Sequence, residues 1–227
     1  HSGLLRRARV HTARRLISVC GDDGVNAEVG IHSAQLAADR KNIPLSCVLH
    51  ITNPQLCALL REREIESGRI DRFRLEFFNV YDTGARAILD EHPAFDQPST
   101  RHPHILLVGL GQLGENILVQ MAKRWSARHS ASDQRFRVTI VDWEGERKIE
   151  SLKLRYPRLS EACEIVSKPV DVRGPALQRA DFLFDARGSC DVTMMYVCLD
   201  DDSLGLSTAL TLRQQVPGHS IPIVVGM

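Results

Sequence analysis

The 227-residue sequence lacks an excess of charge of either sign: 29 Lys and Arg stand against 28 Asp and Glu, a net charge of +1. That balance gives no electrostatic case for nucleic acid or an acidic membrane as the main partner. One local exception, Arg6, Arg7, Arg9, Arg14 and Arg15, has the spacing of a solvated helix face, and no nucleic-acid role is assigned to it. Long apolar runs are missing too: none approaches the ~20 residues of a membrane span, and the first residues lack the charged-then-apolar pattern of a signal peptide. There is no C-x-x-C pair. The six cysteines, Cys20, Cys47, Cys57, Cys163, Cys190 and Cys198, sit mostly inside apolar runs, as reduced core thiols of a cytoplasmic protein do.

Catalytic signatures are absent as well. The sequence has no G-x-S-x-G, no H-E-x-x-H and no P-loop, and its nine histidines are scattered without an acid or nucleophile at a telling spacing. His32 falls in an otherwise apolar helical stretch and reads as an interior or interface histidine. What remains is a composition of 43% hydrophobic and 25% charged residues, that of a folded globular protein, in a chain long enough for one large domain or two ordinary ones.

Strand and helix patterns alternate along the chain, as in a parallel sheet covered on both faces. Strands are expected at 16–20, 46–51 and 72–80, the last from the alternation of Phe73, Leu75 and Phe77. Helices are expected at 25–40, at 54–66 behind an Asn53 cap with Pro54 at the first helical position, and at 82–90 with Asp82 as cap. The aperiodic, proline-bearing stretch 93–103 reads as a domain boundary, separating 1–98 from 103–227. The second part predicts strands at 104–110, 137–142, 164–166, 194–198 and 221–226. Its helices follow the glycine loop, with Ile117, Leu118 and Met121 on one side, and occupy 175–180 and 204–215.

An internal repeat links the two parts. Sliding Cys20 onto Cys198 also places Val19 on Val197, Asp22-Asp23 on Asp200-Asp201, Ala8-Arg9 on Ala186-Arg187 and Ile43-Pro44 on Ile221-Pro222. These identities fall at matching strand ends and turns, which indicates tandem copies of one α/β module. The first copy is accordingly expected to lack its own first strands and glycine loop within these residues, and the second to stop at its fifth strand.

Chemistry concentrates in Gly109-Leu110-Gly111-Gln112-Leu113-Gly114, a G-x-G-x-x-G directly after an apolar strand and opening an amphipathic helix. That context is what gives the motif its meaning. Gly109 permits the tight turn, Gly111 the approach of backbone to a pyrophosphate, and Gly114 close helix–strand packing, while free helix N–H groups favour the phosphate charge. Asp142, at the end of the second strand, can accept the ribose hydroxyls of an adenosine and opposes a 2′-phosphate. Arg147 and Lys148 just behind it are either a wet helix face or a pair that neutralises a phosphate, which would admit NADP or an ATP-like ligand. Asp171 after the third strand is a candidate border of the adenine pocket. Asp200 and Asp201 after the fourth are either ligand contacts at the sheet's carboxyl edge or caps of the next helix.

GLGQLG with Asp142, the Val-Cys-x-Asp-Asp turns and the strand leading to Asn53-Pro54 together resemble tandem RCK domains, also called KTN or Trk-type NAD-binding domains. These are cytoplasmic regulators of potassium channels and potassium uptake systems. The resemblance implies tandem Rossmann-like doubly wound α/β modules. It also implies a site for NAD or NADH, or for ATP or ADP, formed by Gly109, Gly111, Gln112, Leu113, Gly114 and Asp142, with Asp171 and Asp200 beside them. It further implies a homo-oligomer, with the helix at 82–90 as an exchanged dimer helix, and a potassium channel or transporter membrane subunit as partner. The place of action would be the inner face of the membrane, and the role regulatory rather than enzymatic. An NAD-dependent oxidoreductase and an interaction module that has lost its ligand are the alternatives the same fold allows.

Overall fold

The computed structural model describes residues 2–38, 43–66, 72–95, 103–129, 134–184, 187–216, 218 and 220–226. The chain forms two compact units, His1–Thr83 and Gly84–Met227. The division falls inside a helix rather than in the 93–103 stretch, most of which lies outside the described residues. Unit membership follows packing and not composition: Ala85 and Leu89 are buried in the core of the second unit, and Ala94 and Phe95 pack against it.

In the first unit, α1 (Ser2–Arg7) precedes β1 (Arg15–Ser18), α2 (Asp23–Ala37), β2 (Leu45–His50), α3 (Pro54–Glu66) and β3 (Phe73–Phe78). The three strands are parallel in the order β1-β2-β3. Leu45, Cys47 and Leu49 of the central strand are fully buried with Val10, Ala37, Ile51 and Phe73. Gly30 lets α2 lie against them, since a Cβ there would stand 2.7 Å from Leu49 Cδ1. Asn53 caps α3 as expected, its Oδ1 accepting from the N–H groups of Gln55 and Leu56. For α4 (Val80–Glu91) the cap is Asn79, not Asp82: its Oδ1 accepts from Tyr81 and Asp82. The helix therefore starts earlier than expected and draws Asp82 into its first turn.

The second unit contains β4 (His104–Val108), α5 (Gln112–Arg128), β5 (Phe136–Val141), α6 (Gly145–Arg155), α7 (Leu159–Ala162), β6 (Cys163–Lys168), α8 (Pro175–Arg179), β7 (Met194–Val197), α9 (Asp202–Gln215) and β8 (Ile223–Val225). Its five strands are all parallel in the order β6-β5-β4-β7-β8. Both faces of the sheet are covered. Ile105 and Leu107 face a core with Leu118, Met121 and Trp125, while Leu106 and Val108 face one with Leu177, Ala209 and Leu212. That double burial explains why β4 reads as an unbroken apolar run instead of alternating. The fold is Rossmann-like and doubly wound, with chain direction across the sheet reversing between β4 and β7.

The repeat has a structural counterpart that is offset at the helix caps. The sequence pairs Asp22 with Asp200 and Asp23 with Asp201, yet the caps are Asp22 for α2 and Asp201 for α9, accepting from Val25 and Leu204 respectively. One aspartate of each pair is thereby left for other work. Ala186 of the repeat lies outside the described residues.

Candidate functional site

The glycine loop lies at the carboxyl end of β4, at the point where strand order reverses and where ligands of open parallel sheets bind. Its shape is dictated by contacts that exclude side chains. Gly109 has φ +87°, and a Cβ there would stand 2.5 Å from the Cys198 carbonyl oxygen. At Gly114 a Cβ would collide with the carbonyl oxygen of Gly109. Gly111 differs: its nearest neighbours are the Asp200 carboxylate oxygens, at 3.5 and 3.9 Å from a Cβ position. Two glycines are thus required by the fold, and the third keeps a path to the backbone open.

Gly111 is the N-cap of α5 and provides no side-chain acceptor. The first-turn N–H groups at Gln112, Leu113 and Gly114 have no carbonyl one turn behind them, and their partial positive charge suits an anion. By contrast α2, α3 and α9 are closed by Asp22, Asn53 and Asp201. Leu113 contributes backbone here, because its side chain is half-buried beside Gly84 and Gly226.

Asp142 borders the loop and is already engaged. Oδ2 accepts from the Leu110 N–H at 2.8 Å, Oδ1 from the Glu144 N–H at 2.8 Å, and Lys148 Nζ donates to both oxygens at 3.0 and 2.8 Å. The side chain is only 10% exposed. Burial raises the carboxyl pKa, but Lys148 and the two N–H groups outweigh it and hold the group below the usual carboxylate range. Lys148 is thus not a member of a wet helix face. It sits early in α6, where side chains lean toward the helix N-terminus and hence toward Asp142, and only Arg147, paired with Glu144 at 2.7 Å, is solvated.

Among the expected residues, Gly109 to Gly114, Asp142 and Asp200 come together. Asp171 closes its own turn, its Oδ1 accepting from Arg173 N–H and its carbonyl from Gly174 N–H, at the outer strand β6. Sequence reading missed Lys148 as a partner of Asp142, although a lysine early in the helix after a strand-end acid was the available signal. Trp143, next to Asp142 in the chain, stands 71% exposed.

A second polar constellation had no sequence signal. His104 Nδ1 meets Asp191 Oδ1 at 2.6 Å across 87 positions, and its Nε2 meets Thr139 Oγ1 at 2.8 Å. The chain of acid, imidazole and hydroxyl resembles a nucleophilic triad, but Thr139 is 2% exposed and His104 begins β4 at the amino end of the sheet. It fastens β4 to β5 and to the approach to β7. All six cysteines are free, and burial pushes Cys163 and Cys198 up to about 12.

Among the described residues no group of His, Cys, Asp and Glu is arranged to hold a metal ion, and no helix is long and apolar enough to cross a membrane. No protein-family model matches the chain, and no curated protein does. Among solved structures, the crystal structure of O-ureido-L-serine synthase is similar with a TM-score of 0.26 at 13% identity, over 99% of this chain and 76% of that one. A score that low carries no argument.

Proposed function

We propose that this chain is a nucleotide-binding regulatory module whose ligand, NAD or NADH in the first place and ATP or ADP in the second, controls potassium transport by a membrane partner. The observation that carries the binding half is the uncapped start of α5 behind a loop in which Gly109 and Gly114 are fixed by contact and Gly111 is left open. Orphan N–H donors at the switch point of a parallel sheet are suited to a pyrophosphate. The residues fit such a group: Gly111, Gln112, Leu113 and Gly114 would hold the phosphates through backbone, Asp142 with Lys148 would meet the ribose, and Asp200 would lie at the loop's mouth.

The transport half rests on the resemblance to tandem RCK domains. It is supported by the repeat, in which β1, its Asp-Asp turn and α2 match β7, its Asp-Asp turn and α9, with the capping aspartate displaced by one position. In this reading the chain acts at the inner face of a membrane as a homo-oligomer, and the nucleotide works by binding one arrangement of the assembly more tightly than another.

Calorimetry with NAD, NADH, ATP and ADP, paired with solution scattering, tests both halves. The expected result is saturable binding of one of these nucleotides together with a changed scattering profile or oligomer size. Binding without any such change would remove the regulatory reading, and no binding would remove the nucleotide itself. Hydride transfer to a substrate panel would favour an oxidoreductase instead.

A further inference from the structure

The second unit carries a cavity of about 420 Å³ apart from the glycine loop, within the range of small-molecule pockets. Its apolar floor is Val119, Ala122, Leu159 and Ala162, all buried, and Tyr156 also lines it. The charged side chains that line it are of one sign. Lys123, Arg155 and Arg158 line the cavity, and among its described lining residues there is no carboxylate. Two acids outside it orient the guanidinium groups: Glu115 Oε2 holds Arg155 Nη1 at 3.0 Å, and Glu161 Oε2 holds Arg158 Nε at 3.1 Å. Arg158 keeps its two terminal nitrogens for another acceptor.

We infer that this cavity between α5 and the α6–α7 turn is a second ligand site, taking a small amphiphilic anion whose apolar body lies on Ala122 and Leu159 and whose anionic group meets Lys123 and Arg158. An apolar floor beside Lys123 and the terminal nitrogens of Arg158, which Glu161 does not take, is complementary to that one class of occupant, since a neutral ligand leaves those donors unused and a fully hydrophilic anion leaves the floor wet. The cavity also touches the glycine-loop helix. Glu115 stands in the first turn of α5, so an anion that draws on Arg155 competes with the turn next to the loop. That link rests on the nucleotide reading above; the cavity itself does not.

The test uses 1-anilinonaphthalene-8-sulfonate, a flat apolar body with one anionic group, titrated into the 227-residue chain. Saturation at one molecule per chain is expected. In the double variant Lys123→Glu, Arg158→Glu, at two exposed positions, affinity is expected to fall about tenfold or more, as loss of charge-assisted hydrogen bonds predicts. The neutral N-phenyl-1-naphthylamine is expected to bind both proteins alike. Ala122→Phe, which fills the floor and keeps every cation, is expected to abolish binding of the sulfonate. Equal sulfonate affinity in the parent and the double variant would overturn the assignment, as would full affinity in Ala122→Phe. Binding that disappears as the chain self-associates would also overturn it, because a second copy would then be the occupant of this face. None of these readings depends on a nucleotide.

Discussion

Lys148 Nζ stands 2.8 Å from Asp142 Oδ2, so the carboxylate expected to receive a ribose is already half of an ion pair. Neither partner is freely solvated, with Lys148 27% and Asp142 10% exposed. The pair therefore contributes more than a surface pair and sets what a ribose meets: a joint acid and ammonium in place of a bare acid. Lys148→Met is expected to destabilise the second unit by about 1.5–3 kcal/mol in urea denaturation, the range for a hydrogen bond to a charged group. It should also shift nucleotide preference from 2′-phosphorylated toward 2′-hydroxyl forms, because the remaining carboxylate repels the extra phosphate. An unchanged ratio of NAD to NADP affinity would place the ribose elsewhere.

Acid should expose the same pair. Asp142 is held below the usual carboxylate range, so its contribution is complete above about pH 4 and is lost as pH falls through the lowered value. Asp142→Asn is expected to flatten that acid limb of the stability curve while leaving the neutral region shifted by a constant amount. Parallel curves for the variant and the parent down to pH 2 would show that Asp142 does not carry the dependence.

Two glycines of one motif should respond in opposite ways to the same change. Gly114→Ala drives a methyl into the Gly109 carbonyl and is expected to cost stability by about 1–3 kcal/mol, the range for overpacking. Gly111→Ala meets only ordinary contact with Asp200 at 3.5 Å, so its thermal midpoint should stay near that of the parent. The new methyl would nevertheless stand where a phosphate must approach backbone, and nucleotide affinity should fall tenfold or more. A Gly111→Ala protein that binds as well as the parent would sink the phosphate-cradle reading.

Elements with a strong local signature were legible from the residues alone. The unbroken apolar run of β4, the Asn53-Pro54 start of α3 and the glycine loop each declare themselves within a few positions, and each stands where the pattern placed it. What stayed hidden depends on distance. Whether Asp22 or Asp23 caps α2 is decided by Thr52 and Asn53, whose backbone and hydroxyl groups take Asp23 away from its own helix. The unit boundary is set by Ala85, Leu89 and Phe95 packing onto α5 and β5, which composition around the prolines does not reveal. Pairing of His104 with Asp191 spans most of the second unit and has no short-range trace.

In the first unit the tie between strand ends is Asn26. It is fully buried, donates to the carbonyls of Cys20 and His50 at 2.7 and 2.9 Å, and accepts from Cys20 N–H and Ser18 Oγ at 3.0 and 2.6 Å. All its amide capacity on both sides is used, so truncation leaves several buried groups without partners. Asn26→Ala is expected to cost about 2–4 kcal/mol, since more than one desolvated group is orphaned, measured as a drop in urea midpoint with an unchanged slope. A loss within experimental scatter would mean that water replaces the amide.

His104 gives a pH dependence of known sign. Burial lowers its pKa, and the Asp191 carboxylate, which raises it, only partly offsets that effect; Arg137 lowers it further while Glu164 opposes. The folded protein thus refuses a proton that the unfolded chain accepts below its ordinary value of about 6.5. Between that value and the lowered one the unfolded state binds more protons, so stability increases with pH across this window and is complete above it. Denaturation at pH 7.5 should therefore give a higher midpoint than at pH 5.5. Asp191→Asn removes the group that raises the pKa, so the window widens downward and the loss on acidification grows. The imidazole shifts of His104 followed by NMR supply the direct check: a titration at about 6.5 would remove the predicted slope, and one above it would reverse it.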